Sequence, residues 1–401
     1  MGNPFEELNE VFVNRDVLNE EYQPDEILER EEEKQAYAGA LRPITKQNAP
    51  NNIFLYGKTG VGKTVVTKYM LRKLNEQLAA EEADEVTTIW QNCRSLTSSY
   101  QVAVGLVNQL RETGEQLPDT GLPSQTVYRS LYEELEAIGG TILIVLDEID
   151  AIGSDDDLLY ELPRARANGK LEGTRVGVIG ISNDYRFREQ LSPQVKDTLC
   201  EKEITFSPYD ATELRTILTH RAERALVEDT YDAAVINQCA ALAAKDSGSA
   251  RQAIELLREG GDIATERDGV ITEQIIAEAQ KNIERGKIKD AIKDLTVHGK
   301  HALLALSQLT EDTGGDVRTK EVYQFYEYLC EYNGTDPLVS DRLRDQLDDL
   351  AMLGFASKYE HNEGRRGGRY NTYESNQAVG VVQDVLVDIE LPDERYRQQT
   401  L

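Results

Sequence analysis

Cysteine is scarce: Cys93, Cys200, Cys239 and Cys330 stand far apart in 401 residues, which excludes a zinc knuckle or a small disulfide framework and leaves buried free thiols as the expectation. Histidine is as rare, and although His298 and His301 share a helix face, a structural role is expected there rather than a metal site. No run approaches the roughly 18 uninterrupted apolar residues of a membrane span, and Met1 to Glu20 lacks the apolar core of a signal peptide. A soluble, cytoplasmic chain with no membrane partner is therefore expected. Positive charge is also in deficit, with 44 Lys plus Arg against 72 Asp plus Glu and a formal net charge of -28. The carboxylates are spread along the chain rather than held in one tail. That pattern suits a salt-rich cytoplasm, where charge is screened over about 3 Å at molar salt. Average charge argues against nucleic-acid binding, so any such reading must rest on local clusters.

What is present is length for two or three domains and a set of motifs with defined chemistry. "NNIFLYGKTGVGKT" carries a short apolar run, Ile53 to Tyr56, into Gly57, Gly60, Val61, Gly62, Lys63, Thr64 and Val65, followed by a helical pattern to Asn75. This is G-x-x-x-x-G-K-T in a strand, loop, helix setting. Glycines let backbone N–H groups curl around phosphates at a helix N-terminus, where the dipole favours anions. ATP or ADP is the expected ligand, with Lys63 on the β and γ phosphates and Thr64 on Mg²⁺.

"TILIVLDEID" supplies the other half of such a site. Ile142 to Leu146 read as a strand buried on both faces of a parallel sheet. Asp147 is expected to hold Mg²⁺ and Glu148 to polarise an attacking water. Taken alone, an acidic pair at a strand end is an ordinary solvated turn; beside the phosphate loop it gains a purpose. "RVGVIGISND" reads as a further strand ending at Asn183, whose amide orients that water if the strand lies beside the acidic one, although Asn at such a place is ordinarily a turn former. Val86 to Trp90 and Glu203 to Phe206 complete an expected five-strand parallel sheet with intervening helices.

In this order the motifs resemble an AAA+ ATPase. "VFVNRDVLNEEYQPDEILEREEE", "WQNCRSLTSSYQV", "FSPYDATELRTILTHR" and "GSARQAIELLREGGDIA" narrow the resemblance to archaeal Orc1/Cdc6 initiators, over nearly the whole chain. The resemblance implies an α/β fold: a P-loop parallel sheet at 1–206, a helical lid at 207–288 and a winged helix at 289–401. It also implies that Tyr209 contacts nucleotide from the linker, that Arg221 approaches from the next helix, and that Arg251 touches the γ phosphate from the lid, so that phosphate state sets lid angle. Without the family register these would be a core aromatic and two solvated helix charges. One departure stands out. Where the family shows an arginine in a P-R-V segment, this chain has "SPQVKDTL" with Gln194, so no finger arginine is assigned, and slow, regulatory hydrolysis is expected.

Helical periodicity resumes after Ile288. In "PLVSDRLRDQLDDLAMLGF", Leu343, Leu347, Leu350 and Leu353 are expected on one face, with Ser340, Arg342 and Arg344 off it and directed to a major groove. "ASKYEHNEGRRGGRYNTYE" then reads as a hairpin whose tip carries Arg365, Arg366 and Arg369, suited to a minor groove or to phosphates. The bland alternative is a solvated turn. Asp341 departs from the family, which favours a basic residue there; it could repel phosphate or accept from cytosine N4. The resemblance implies ATP-dependent binding of double-stranded origin DNA, initiation of replication, recruitment of the replicative helicase, and other initiator paralogues as candidate partners. The alternative is a nucleotide-switched DNA-binding regulator that is not an initiator, which the altered P-Q-V segment would suit.

Overall fold

The computed structural model describes residues 10–199, 201–267, 269–362 and 369–392. It forms two compact units, Met1–Ala279 and Gln280–Leu401. The expected boundary at 206 falls inside the first unit, and that at 288 falls within a helix, Glu273–Lys293, which spans the division.

The first unit begins with helix α1 (Glu31–Thr45), followed by β1 (Ile53–Tyr56), α2 (Lys63–Ala80), β2 (Thr87–Asn92), α3 (Ser99–Leu110), α4 (Ser124–Ile138) and β3 (Thr141–Asp147). It continues with α5 (Asp157–Arg164), β4 (Arg175–Ser182), α6 (Phe187–Gln190), α7 (Pro193–Leu199) and β5 (Lys202–Thr205). All five strands are parallel, in the order β2-β3-β4-β1-β5. The aliphatic runs of β1 and β3 are buried throughout because helices cover both sheet faces. β4 lies between the acidic strand and β1, pairing Asp147 with Ile181 and Tyr56 with Ser182. The phosphate loop, Asp147 and Asn183 therefore leave the sheet at one edge, the carboxyl ends of neighbouring strands. β2, at the sheet edge, runs past its expected end at Trp90 to Asn92, because its partner β3 continues to Asp147.

Three helices form the lid: α8 (Ala211–Ala225), α9 (Ala233–Asp246) and α10 (Ala250–Thr265). Each starts on a side-chain cap, Asp210, Asp232 and Ser249, and Asp210 with Glu213 closes a capping box. The chain before α1 straps onto this lid. Val13 and Asn14 donate to the Ala225 carbonyl, Val227 donates to Val11, and Arg15 grips Asp262 through two bonds of 2.8 and 2.6 Å.

The second unit starts within α11 (Glu273–Lys293), at Gln280. It holds α12 (Val297–Thr313), β6 (Val317–Arg318), α13 (Thr319–Tyr332), α14 (Ser340–Met352), β7 (Ala356–Asn362), β8 (Arg369–Ser375) and α15 (Val379–Val385). β7 and β8 pair antiparallel from Ala356–Ser375 to Asn362–Arg369, and β6 adds to β8. Three helices and a hairpin sheet make the winged helix. Leu343, Leu347 and Leu350 are buried as expected, but Leu353 is 60% exposed. α14 ends at Met352, the chain turns at Gly354 with φ of +80°, and Phe355 takes the core position instead.

Cys93, Cys239 and Cys330 are buried and free, and Cys200 lies outside the described residues. His298 bonds the Tyr326 hydroxyl, His301 bonds the Val297 carbonyl, and no metal-binding cluster occurs among the described residues. No described helix is long and apolar enough to cross a membrane.

Between β3 and β1, Gly180 leaves room for the Phe54 ring, which would lie 2.5 Å from a Cβ at that position. Gly180→Ala is expected to destabilise the first unit by about 1–3 kcal/mol, because a ring in a close-packed core cannot yield. Equilibrium urea unfolding in high salt checks this through a lowered midpoint.

Candidate functional site: a phosphate-binding cleft and a winged hairpin

The phosphate loop is shaped by Gly60 and Gly62, whose φ values of +81° and +96° are open to glycine at little cost. Gly57 lets the loop pass the Phe206 carbonyl, which would lie 2.6 Å from a Cβ there. α2 starts at Lys63, so its first-turn N–H groups face a cleft of about 860 Å³ lined by Gly60, Gly62, Lys63, Thr64 and Val65. Val61 is buried beneath it. Lys63 Nζ donates to the Gly57 carbonyl at 2.6 Å, the Lys58 carbonyl at 2.8 Å and Asn183 Oδ1 at 2.9 Å. Burial lowers its pKa to about 8, against the pull of the Asp147 and Asp150 carboxylates.

Thr64 Oγ1 donates to Asp147 Oδ2 at 3.0 Å. Burial raises the Asp147 pKa, opposed by that bond and by the Glu148 N–H. Glu148 follows with φ of 56°, a left-handed backbone rare outside glycine, which lifts its side chain off the strand into the cleft. Asn183 leaves β4 beside it, its N–H held by Asp150 Oδ1 at 3.0 Å. The structure thus meets the condition set for Asn183, that its strand neighbour the acidic one.

The lid closes the other side. Tyr209 is buried at the linker, its hydroxyl 3.0 Å from a Cβ built on Gly62. Ser249 Oγ stands where a Cβ on Gly60 would be, and Ala250 N–H donates to the Gly60 carbonyl at 3.0 Å. Arg251 lines the cleft and pairs with Glu20 of the strap at 2.7 Å. Arg221, whose pKa is lowered by burial, donates to the Val17 carbonyl at 2.9 Å and stacks on Tyr22, so it clasps the strap.

Arg30, Arg94, Asp150 and Glu20 also shape the cleft and were not singled out from sequence. Arg30 is 3% exposed and donates to Glu33, to the Val61 carbonyl of the phosphate loop and to the Ser207 carbonyl of the linker, with its guanidinium 3.7 Å from the Tyr209 ring centroid. Its only sequence signal is a lone cation ahead of Glu31 to Glu33. Arg94 approaches Glu148 at 4.0 Å from a turn fixed by the Cys93 N–H on the Asp147 carbonyl. Gln194 opens no route to an arginine finger, and Arg188 is engaged by Glu201 and Glu203.

In the second unit Ser340, Arg342 and Arg344 are exposed on α14, and Arg369 is exposed where β8 begins. Arg365 and Arg366 lie outside the described residues. Two side chains missed from sequence pack on the hairpin's Tyr370: Arg318 lies over its ring, and the His361 ring stacks on it at a centroid distance of 5.0 Å.

A nucleotide-type loop under a helical lid, with a separate winged helix, is the construction of an AAA+ P-loop protein, and known proteins agree. Residues 46–191 match the AAA domain, 215–281 the Cdc6 AAA+ ATPase-type lid domain and 290–385 the CDC6 C-terminal winged helix domain. The chain is 51% identical to ORC1-type DNA replication protein 15 of Haloarcula marismortui, over 95% of each chain. It is 49% identical to ORC1-type DNA replication protein 8 of Halobacterium salinarum, over 97% of this chain and 98% of that one. Among solved structures it is similar to the Aeropyrum pernix ORC1 protein in complex with DNA, with a TM-score of 0.81, 33% identity, and 98% and 99% of the two chains covered. The chain belongs to the ORC1-type DNA replication proteins.

The setting of Lys63 makes its protonation measurable. In the ligand-free protein the amine is expected to lose its proton around pH 8. Because the unfolded chain still holds that proton up to about pH 10.4, the stability cost of the buried cation is full below the folded pKa and is relieved as pH rises between the two values. Competitive acylation across that range, read by mass spectrometry, checks this: Lys63 should titrate about two units below exposed lysines, and a midpoint shared with them would contradict it.

Proposed function

We propose that this chain is a replication initiator that binds ATP in the cleft of the first unit and double-stranded origin DNA through the winged helix of the second, with nucleotide state controlling DNA binding. The observation that carries the reading is the convergence on one cleft of Lys63, the Thr64–Asp147 pair, Glu148, Asn183 and Arg251. Lys63 and the α2 N-terminus would hold the β and γ phosphates, exchanging loop carbonyls for phosphate oxygens. Thr64 Oγ1 and Asp147 Oδ2 are hard oxygens 3.0 Å apart, the donor type Mg²⁺ selects. Magnesium bound there would neutralise charge on the phosphates. Glu148 would take a proton from the attacking water, which Asn183 orients, giving ADP and phosphate. Arg251 would leave Glu20 for the γ phosphate, tying lid to ligand, while Tyr209 and Arg221 fix the linker and strap around the nucleotide. In this reading the base runs over 1–206, the lid over 207–288 and the winged helix over 289–401. Hydrolysis is slow, because no arginine occupies the Gln194 segment.

Ser340, Arg342, Arg344 and Arg369, together with Arg365 and Arg366, which lie outside the described residues, would contact the duplex. The DNA-bound Aeropyrum pernix ORC1 relative supports this. Recruitment of the replicative helicase, and action beside other initiator paralogues, rest on family membership alone.

Lys63→Ala is expected to weaken ATP binding about 100-fold, the value of charged hydrogen bonds to phosphate, while Glu148→Gln keeps ATP and slows turnover about 10²–10⁴-fold. Calorimetry and a phosphate-release assay check both; undiminished ATP binding in the first variant would refute the site. Immunoprecipitation of the protein with genomic DNA should give a few sharp peaks beside replication start sites. Combined Arg342→Ala, Arg344→Ala and Arg369→Ala should erase them. Peaks at promoters instead would favour a regulator.

A further inference from the structure

Both arginines that α14 turns to solvent are already paired within the protein. Arg344 Nη1 meets Asp341 Oδ1 at 3.2 Å and Arg342 Nη1 meets Asp345 Oδ2 at 3.5 Å, each across one helical turn. All four side chains are exposed, while Leu343, Leu347 and Leu350 hold the opposite face in the core. Such i,i+3 pairs on a surface are individually weak, so they do not prevent an arginine from changing partner. What decides the outcome is the carboxylate left behind. A phosphate offers only acceptors, so an arginine that turns to it abandons an aspartate within a helical turn of a second negative charge. A G·C pair offers O6 and N7 acceptors on guanine beside the N4 amino donor of cytosine, so it can satisfy the arginine and its aspartate together.

We propose that Asp341 and Asp345 are specificity-determining residues of α14: they suppress indiscriminate contact with the phosphate backbone and favour G·C edges that satisfy both members of each Arg–Asp pair. This rests on the DNA-binding reading above. It also accounts for an acidic recognition helix, which carries Asp341, Asp345, Asp348 and Asp349 against two arginines. Asp348 is held by Lys358 and the Tyr373 hydroxyl and also lies within the field of Arg344, but it makes no ion pair with either arginine among the described residues.

The test uses the full chain with two probes across a series of potassium chloride concentrations: a random-sequence duplex of about 30 base pairs, enough for one winged helix with flanks, and a duplex of equal length from the strongest immunoprecipitation peak. Combined Asp341→Asn and Asp345→Asn should tighten binding to the random duplex about tenfold and to the enriched duplex about threefold or less, with a steeper fall in affinity as salt rises. Asp341→Glu with Asp345→Glu should retain wild-type discrimination. Asp384→Asn with Asp388→Asn, exposed positions on and after α15, makes the same change in net charge and should alter neither probe. Equal effects from the two Asn pairs would show bulk charge at work and overturn the proposal, as would unchanged random-duplex binding in the first pair. If the wild-type chain binds neither duplex, the DNA-binding reading itself fails; if it binds both and only the Asn pairs behave alike, that reading stands and this proposal alone falls. Thermal unfolding unchanged from wild type confirms that each variant is folded.

Discussion

A guanidinium removed from water costs several kcal/mol unless its donors are met, and the two terminal nitrogens of Arg30, though not its Nε, are met by three parts of the first unit at once. Glu33 anchors it to α1, the Val61 carbonyl to the phosphate loop and the Ser207 carbonyl to the linker, with Tyr209 stacked on its face. Those carbonyls can turn toward Arg30 only if the loop and the linker take their observed paths. The glycines permit the loop; Arg30 selects it. Lys63, Thr64 and the Asp147 carboxyl then fall into register because β1, β3 and β4 end at one sheet edge.

Around this fixed centre the groups of the cleft find partners within the chain. Lys63 rests on loop carbonyls and Asn183, Thr64 on Asp147, Arg251 on Glu20, and the start of α10 on the Gly60 carbonyl. Lys63 is met by carbonyl and amide oxygens and Arg251 by a carboxylate. Anion binding becomes an exchange of partners rather than the filling of a bare positive site, and geometry then counts for more than charge.

Much of this was legible in the sequence. Aliphatic runs ending in Gly57, Asp147 and Asn183 announced a parallel sheet and its active edge, because a strand buried on both faces needs continuous apolar residues and a phosphate loop needs glycine at set intervals. The leucines of α14 were legible to Leu350 and failed at Leu353, where helical periodicity had stopped but the apolar pattern had not. Arg30 and Glu20 were not legible. Their partners lie far away in the chain or on the main chain, and backbone carbonyls leave no trace in composition. Arg221 was legible only through its family register, and its structural partner is again a carbonyl, that of Val17.

The strap adds a constraint of timing. Arg15 meets Asp262 across 247 positions, and Val11 meets Val227. During synthesis at about 5–20 residues per second, the strap waits some tens of seconds for the helices that receive it. In the meantime Val11, Val17 and Leu18, all buried in the finished fold, have no surface to cover them. Closing so long a loop costs only slightly more entropy than closing a short one, so the strap docks once α8 and α10 exist. The first unit is therefore sealed last, by a segment made well before the helices that hold it.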